Sequence, residues 1–294
     1  TGSYNVAVGE GALTSNTTAS NNTAVGYQAG YTNTTGIGLT FVGRKAGFLS
    51  STSNDNTAIG DTALYSTTTG ASNTAVGSNA LFSNTTASNN TAVGYQAGYS
   101  NTTGSVTAFG QKALYSNTTG ADHVAVGIQA LYANTTGTNN VAVGHVAMTA
   151  NSTGGSNTAL GNYALYSNTT ASNNTAVGYQ ALYSGTTHVD NTAVGYQAGY
   201  SNTNNGGVTV VGRKAGYANT TGSVDAFGYE ALMNNTTGAA NSGFGLRTLL
   251  TNTTGSYNTA LGTSALYSNT TASYNTAVGY QAAYSATTNT NLTV

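Results

Sequence analysis

Three histidines, seven carboxylates and six basic side chains are all that 294 residues offer for acid–base, metal or anion chemistry. His123, His145 and His188 lie far apart and form no metal-ligand spacing. No carboxylate pair and no Ser/His/Asp grouping rises above the serine-rich background, so general acid–base and nucleophilic catalysis have no candidate. Cysteine is absent, which removes disulfides and thiolate ligands together. The expectation is a chain that is not an enzyme, holds no metal and needs no cofactor, with its histidines as ordinary surface residues. Gly-x-Gly spellings such as Gly9-Glu10-Gly11 lead into no helix pattern and carry no phosphate-loop signal.

Three other residue sets could meet a ligand. Arg44-Lys45 and Arg213-Lys214 stand in matching contexts, Phe41-Val42-Gly43-Arg44-Lys45-Ala46-Gly47 and Val210-Val211-Gly212-Arg213-Lys214-Ala215-Gly216. Each pair could bind an anionic glycan on a host surface or serve only to solvate a turn, and solvation is the preferred reading. Asn-Thr-Thr recurs, among other places, at Asn33, Asn101, Asn117, Asn134, Asn219 and Asn252, and every copy fits the N-glycosylation pattern. A copied turn produces such sequons automatically, so a turn-forming Asn followed by a Thr ladder is preferred to a glycan acceptor. The recurrent tyrosines could offer ring faces to sugars, but their recurrence in nearly every repeat favours packing between coils or chains.

All of these residues sit at fixed phases of one repeat, seen in Asn22-Thr23-Ala24-Val25-Gly26-Tyr27-Gln28-Ala29-Gly30-Tyr31. Its marker glycine returns seventeen times from Gly9 to Gly279, at steps of 17 residues except for two steps of 16, Gly94 to Gly110 and Gly212 to Gly228. Fixed periods of this length mark a solenoid-type array. The residue before each marker is large and apolar; two before it Ala dominates, three before it Thr is usual, and four before it Asn stands in twelve copies. Asn-Thr-Ala-Val-Gly reads as a short strand closed by a turn glycine. Strand alternation puts Asn and Ala on one face and Thr and Val on the other, without deciding which face is inward.

After the marker come two polar positions, then Ala, then Leu or Gly, then an aromatic residue in thirteen copies. This segment is expected to be a second strand, followed by a wide Asn-Thr-Thr-Gly/Ala turn. The predicted fold is therefore all-β: a parallel β-solenoid (β-roll) of about 17 coils, with two short strands per coil and a 17-residue repeat. Residues 1–294 form a single repeat array. Where Gly replaces Leu at the fourth position after the marker, as at Gly30, Gly98, Gly199 and Gly216, the next coil carries Leu39, Val106, Val208 or Val224 in place of Asn. That pattern suggests volume compensation inside one packed layer. Gly47, followed by Asn56, departs from it.

Charged residues are 4% of the chain and the net charge is −1, so nothing here neutralises a run of phosphates and nucleic acid is not an expected partner. No apolar run reaches membrane-spanning length, so membrane insertion is not expected either. A flat threonine array could bind ice, but the sequence offers no regular Thr-x-Thr row, which leaves that idea weak. The chain opens inside a repeat, ends in a fading one and shows no charged or Pro-bearing cap. It is read as a segment of a longer fibre or as a filament subunit.

Asn174-Thr175-Ala176-Val177-Gly178-Tyr179-Gln180-Ala181-Leu182-Tyr183-Ser184, with Gly185-Thr186-Thr187 where other copies have Asn-Thr-Thr, resembles repeats in tail-fibre-like proteins of bacteriophages. It is also similar to the head repeats of trimeric autotransporter adhesins, whose strand core looks like Ala-Val/Ile-Gly-x-x-Ala. The resemblance covers essentially all of residues 1–294. It implies a left-handed parallel β-roll assembled as a trimer, although the coil here is longer. Together these readings point to a structural, non-enzymatic fibre segment, extracellular, on a cell surface or on a virion. It would self-associate as a homotrimer or a head-to-tail filament. A carbohydrate-binding adhesin head and a self-assembling filament subunit are the alternatives.

Overall fold

The computed structural model describes residues 2–203 and 206–294. Its contacts divide the chain into two compact units, 1–146 and 147–294. Among the described residues the first carries nine strands, from β1 (Val6–Val8) to β9 (Val141–Val143), and the second eight, from β10 (Thr158–Leu160) to β17 (Thr276–Val278). Within each unit successive strands pair in parallel, phase to phase: Thr23 with Thr40 and Val25 with Val42 in the first, Thr175 with Thr192 and Val177 with Val194 in the second. Each unit is thus a parallel β-solenoid whose coil is the 17-residue repeat. No helix among the described residues is long and apolar enough to cross a membrane.

The strand faces are now assigned. Asn and Ala point inward, with Asn22, Ala24, Asn73 and Ala75 wholly buried, while Thr and Val point out. Each strand ends at a marker glycine whose φ lies between +126° and +141°, a region closed to side chains. A β-carbon there would also collide with the next coil: at Gly60 it would lie 2.6 Å from the carbonyl carbon and oxygen of Gly77. The glycine is fixed both by the turn and by the approach of its own copy.

Among the described residues the expected second strand is absent, and the solenoid has one strand per coil. After the marker, left-handed residues alternate with ordinary ones: Thr62 and Leu64 have φ of 52° and 53°, and Asn79 and Leu81 of 57° and 48°. This twist turns two consecutive side chains inward, so that Ala63 and Leu64 are both fully buried, which strand alternation forbids. Coil-to-coil hydrogen bonds persist without strand geometry, as in Leu64 N–H to Ala80 O (2.9 Å) and Ser66 N–H to Phe82 O (3.0 Å). A left-handed leucine costs roughly 1–2 kcal/mol. Burying its side chain returns about 1.5–3 kcal/mol, so the inward leucine is tolerated coil after coil.

Where Gly stands at this phase, the backbone is relaxed and the space is filled from elsewhere. A β-carbon on Gly30 would lie 3.0 Å from both Leu13 and Phe41, and one on Gly47 only 2.5 Å from the Phe41 ring. Phe41, at a strand position where Ala is the rule, therefore occupies the room of the leucine missing at 47. That explains why Gly47 departs from the sequence correlation. Val210 does the same for Gly216, at 2.8 Å. The substitutions within a layer conserve volume, as close-packed interiors demand.

Two asparagine columns complete the interior. In the strand column, Asn73 Nδ2 donates to Ala87 O (2.9 Å) while its Oδ1 accepts the Asn90 backbone N–H (2.9 Å). In the turn column, Asn117 Nδ2 donates to Asn101 Oδ1 (2.8 Å) and to Gly120 O (2.9 Å). These bonds meet the demand that buried amides be paired.

Candidate functional site

The residues that sequence reading singled out fall into three groups. The Asn-Thr-Thr asparagines lie inside: Asn33, Asn101, Asn117, Asn134, Asn219 and Asn252 are all fully buried. Their amides are engaged, Asn33 Nδ2 with Gly36 O and Asn252 Nδ2 with Asn235 Oδ1 at 2.7 Å, and Gly36 N–H returns a bond to Asn33 Oδ1. This is the turn-forming role. The first Thr of each turn forms the ladder beside it, donating to the next coil's carbonyl as Thr34 does to Ser51 O (3.0 Å) and Thr118 to Thr135 O (3.0 Å).

The aromatic residues stack on each other. Tyr31, Phe48, Tyr65, Phe82, Tyr99, Tyr115 and Tyr132 form one continuous column in the first unit, with centroids 5.1–5.4 Å apart and planes within 12°. Tyr166, Tyr183, Tyr200 and Tyr217 repeat it in the second. A ring stacked on both sides has no face left for a sugar, so the column is a packing device along the coil stack. Burial pushes the Tyr115 and Tyr183 phenols up from their ordinary values.

In each Arg-Lys pair the arginine is tied into the next coil and the lysine lies over a ring of its own coil. Arg44 Nε lies 2.7 Å from Asp61, and Lys45 Nζ sits 5.2 Å from the centre of the Phe48 ring. Lys214 stands over Tyr217 at 5.2 Å. Arg213 lies between the rings of Tyr196 and Tyr229, at 5.8 and 5.1 Å, and bonds Glu230 at 3.1 Å, while Arg247 reaches the other oxygen of Glu230 at 3.0 Å. Burial opposes ionisation of the Glu230 carboxyl, but bonds from Arg247 and Tyr229 and the two guanidinium charges outweigh it and hold it below its ordinary value. Sequence reading missed Asp61, Glu230 and Arg247. Their signal was present, since Asp61 follows Arg44, and Arg247 follows Glu230, by one 17-residue step, while Glu230 stands one phase beyond Arg213 across a 16-residue step.

Two histidines correct the expectation of surface residues. His145 is exposed, but His123 is 2% and His188 8% accessible. His123 replaces Asn in the strand column, its Nδ1 accepting the Asn140 N–H (3.3 Å) and its Nε2 edge lying 3.1 Å from Asn134 Nδ2. His188 swings into the room left where Gly185 replaces the turn asparagine; a β-carbon on Gly185 would lie 2.3 Å from the imidazole. Burial pushes both imidazoles below their ordinary value, against hydrogen bonds that offset part of the effect.

The folded state thus favours neutral histidine, and the unfolded chain binds more protons once pH falls below about 6.5. Stability is full above that pH and declines as pH falls toward the depressed folded values. The substitution His123→Asn, which restores the column residue, should reduce the loss. Melting curves at pH 7.5 and pH 5 would show a smaller drop in Tm for H123N than for the natural chain, and equal drops would exclude the mechanism.

Taken together, these units belong to the class of parallel β-solenoid proteins built from tandem repeats. No protein-family model, curated protein or solved structure matches the chain. Among the described residues no group of three His, Asp or Glu could hold a metal ion.

Proposed function

We propose that the chain is a structural, non-enzymatic segment of an extracellular or virion fibre, a stiff β-solenoid that spaces or presents another part. The observation that carries this reading is the coil-to-coil bonding that recurs within each unit among the described residues. Strand, left-handed segment, asparagine columns, threonine hydroxyls and aromatic rings each join a residue to its own copy in the next coil. An array in which every layer meets only its neighbours is suited to transmitting position and force along its axis. The near absence of charge suits a passive surface. The resemblance to tail-fibre and adhesin-head repeats supports the same role.

Negative-stain electron microscopy of the purified chain tests the proposal. Slender rods of uniform length are expected. Globular particles would overturn it, and filaments of indefinite length would replace the spacer by the self-assembling alternative. The Arg213, Tyr229 and Arg247 group favours the adhesin reading, because two guanidinium groups share a single carboxylate there. Selective capture of acidic sugars on a glycan array, lost on Arg213→Gln, would establish it.

A further inference from the structure

The outward face of the strands forms a grid that the spacer role does not use. In the first unit Thr23, Thr40, Thr57, Thr74 and Thr91 are paired in sequence, and beside them run Val25, Val42, Ile59, Val76 and Val93. The second unit repeats the arrangement with Thr158, Thr175, Thr192 and Thr209 beside Leu160, Val177, Val194 and Val211. Parallel pairing fixes the grid at about 4.8 Å between coils and about 6.6 Å between the Thr and Val of one strand. The Thr, Val and Ile side chains are β-branched and stiff at χ1, so their hydroxyls and methyls are held in place.

Two threonine columns behave differently. The turn threonines spend their hydroxyls on the next coil's carbonyls. The strand threonines, from Thr23 to Thr91, make no side-chain hydrogen bond within the protein among the described residues and face solvent with both donor and acceptor capacity intact. The grid is also free of charge: at these two outward strand phases Asp225 is the one charged residue in the chain. Charges would order water around themselves; an uncharged lattice of hydroxyls and methyls leaves the order to the lattice.

We propose that this Thr/Val face binds ice. The faces of an ice crystal present oxygens at repeats close to both spacings of the grid. Hydroxyls can replace lattice waters, while the methyl rows hold the intervening waters in a cage. The rigid coil makes the array pre-ordered, so little entropy is lost on adsorption. Ice is favoured over a second copy of the chain, as a homotrimer would require on this face. A second copy would have to meet this face on both units, about 400 Å² on each, which only just reaches the roughly 800 Å² per partner of a stable interface. Such an interface would also bury hydroxyls that have no charged or amide partner on an identical surface.

The test uses the full chain in a nanolitre osmometer and in an ice-recrystallisation assay. A gap between melting and freezing points and halted crystal growth are expected. Both should be lost in the triple variant Thr57→Lys, Thr74→Lys, Thr91→Lys. They should be retained in Thr69→Lys, Thr86→Lys, Thr103→Lys, which adds the same charge at exposed turn positions. Circular dichroism would confirm that both variants keep the fold. No activity in the natural chain, or equal activity in both variants, overturns the proposal. So does a solution mass that is a multiple of 29.3 kDa and falls to one chain only in the strand-face variant, which would make the face an interface between copies. None of these outcomes depends on whether the chain is a rod by microscopy.

Discussion

Replacing Gly77 by alanine should unfold the first unit, with a loss above about 4 kcal/mol, a size reserved for a few severe mechanisms. Two act together here. Gly77 has φ of +130°, and a β-carbon on it would lie 2.6 Å from the carbonyl oxygen and 2.7 Å from the carbonyl carbon of Gly94. Those atoms are backbone and cannot swing aside. Gly94 is itself held by its N–H bond to Val76 O at 2.8 Å, so relief of the clash has to break the ladder. In an array whose coils meet only their neighbours, one broken interface uncouples the two sides. Urea unfolding followed by circular dichroism should therefore show an earlier, less cooperative transition for G77A. Thr86→Ala, at an exposed turn position, should stay within about 0.5 kcal/mol of the natural chain. A G77A midpoint close to the natural one would mean that adjacent coils do not approach as closely as described.

The second large effect is a reciprocal pair inside one layer. Phe41→Ala should cost about 3–5 kcal/mol, because the ring fills space that no other side chain reaches. Gly47→Leu alone should also destabilise the chain, since its side chain would enter the Phe41 ring. The double variant is expected to recover most of the loss, with a coupling energy on the order of 3 kcal/mol, the upper end for residues in contact. The resulting layer would copy one already present, where Gly98 precedes Val106, Ala108 and Leu114, all buried. Denaturant midpoints of the four proteins close the cycle. Simple addition of the two losses would refute the account of Phe41 as the occupant of the leucine site.

The same exchange of volume recurs in polar form. Gly185 and His188 trade the places of a turn asparagine and the small residue three positions later, and the imidazole fills what the amide left. Ser50 and Ser53 pair across the equivalent gap by their hydroxyls. These irregularities in the repeat are accounted for by a neighbour in the same layer. The Arg213, Glu230 and Arg247 group and the outward Thr/Val grid differ, since their functional groups exceed what packing requires.

Period and composition alone determined the parallel solenoid, the 17-residue coil, the marker glycines and the pairing of strand faces. A ladder of identical rungs writes its spacing directly into the chain. The grouping of Arg44 with Asp61 was legible by the same arithmetic. The tertiary structure decided what depends on the sign of φ. Left-handed residues at positions such as Thr62 and Leu64 abolish the second strand and place two adjacent side chains in the core, and no periodicity of hydrophobicity reveals that. It also decided which strand face is inward. Asn and Thr are both polar enough to face water, and only the closed coil shows that asparagine amides find carbonyl partners inside while the strand threonines are left facing out.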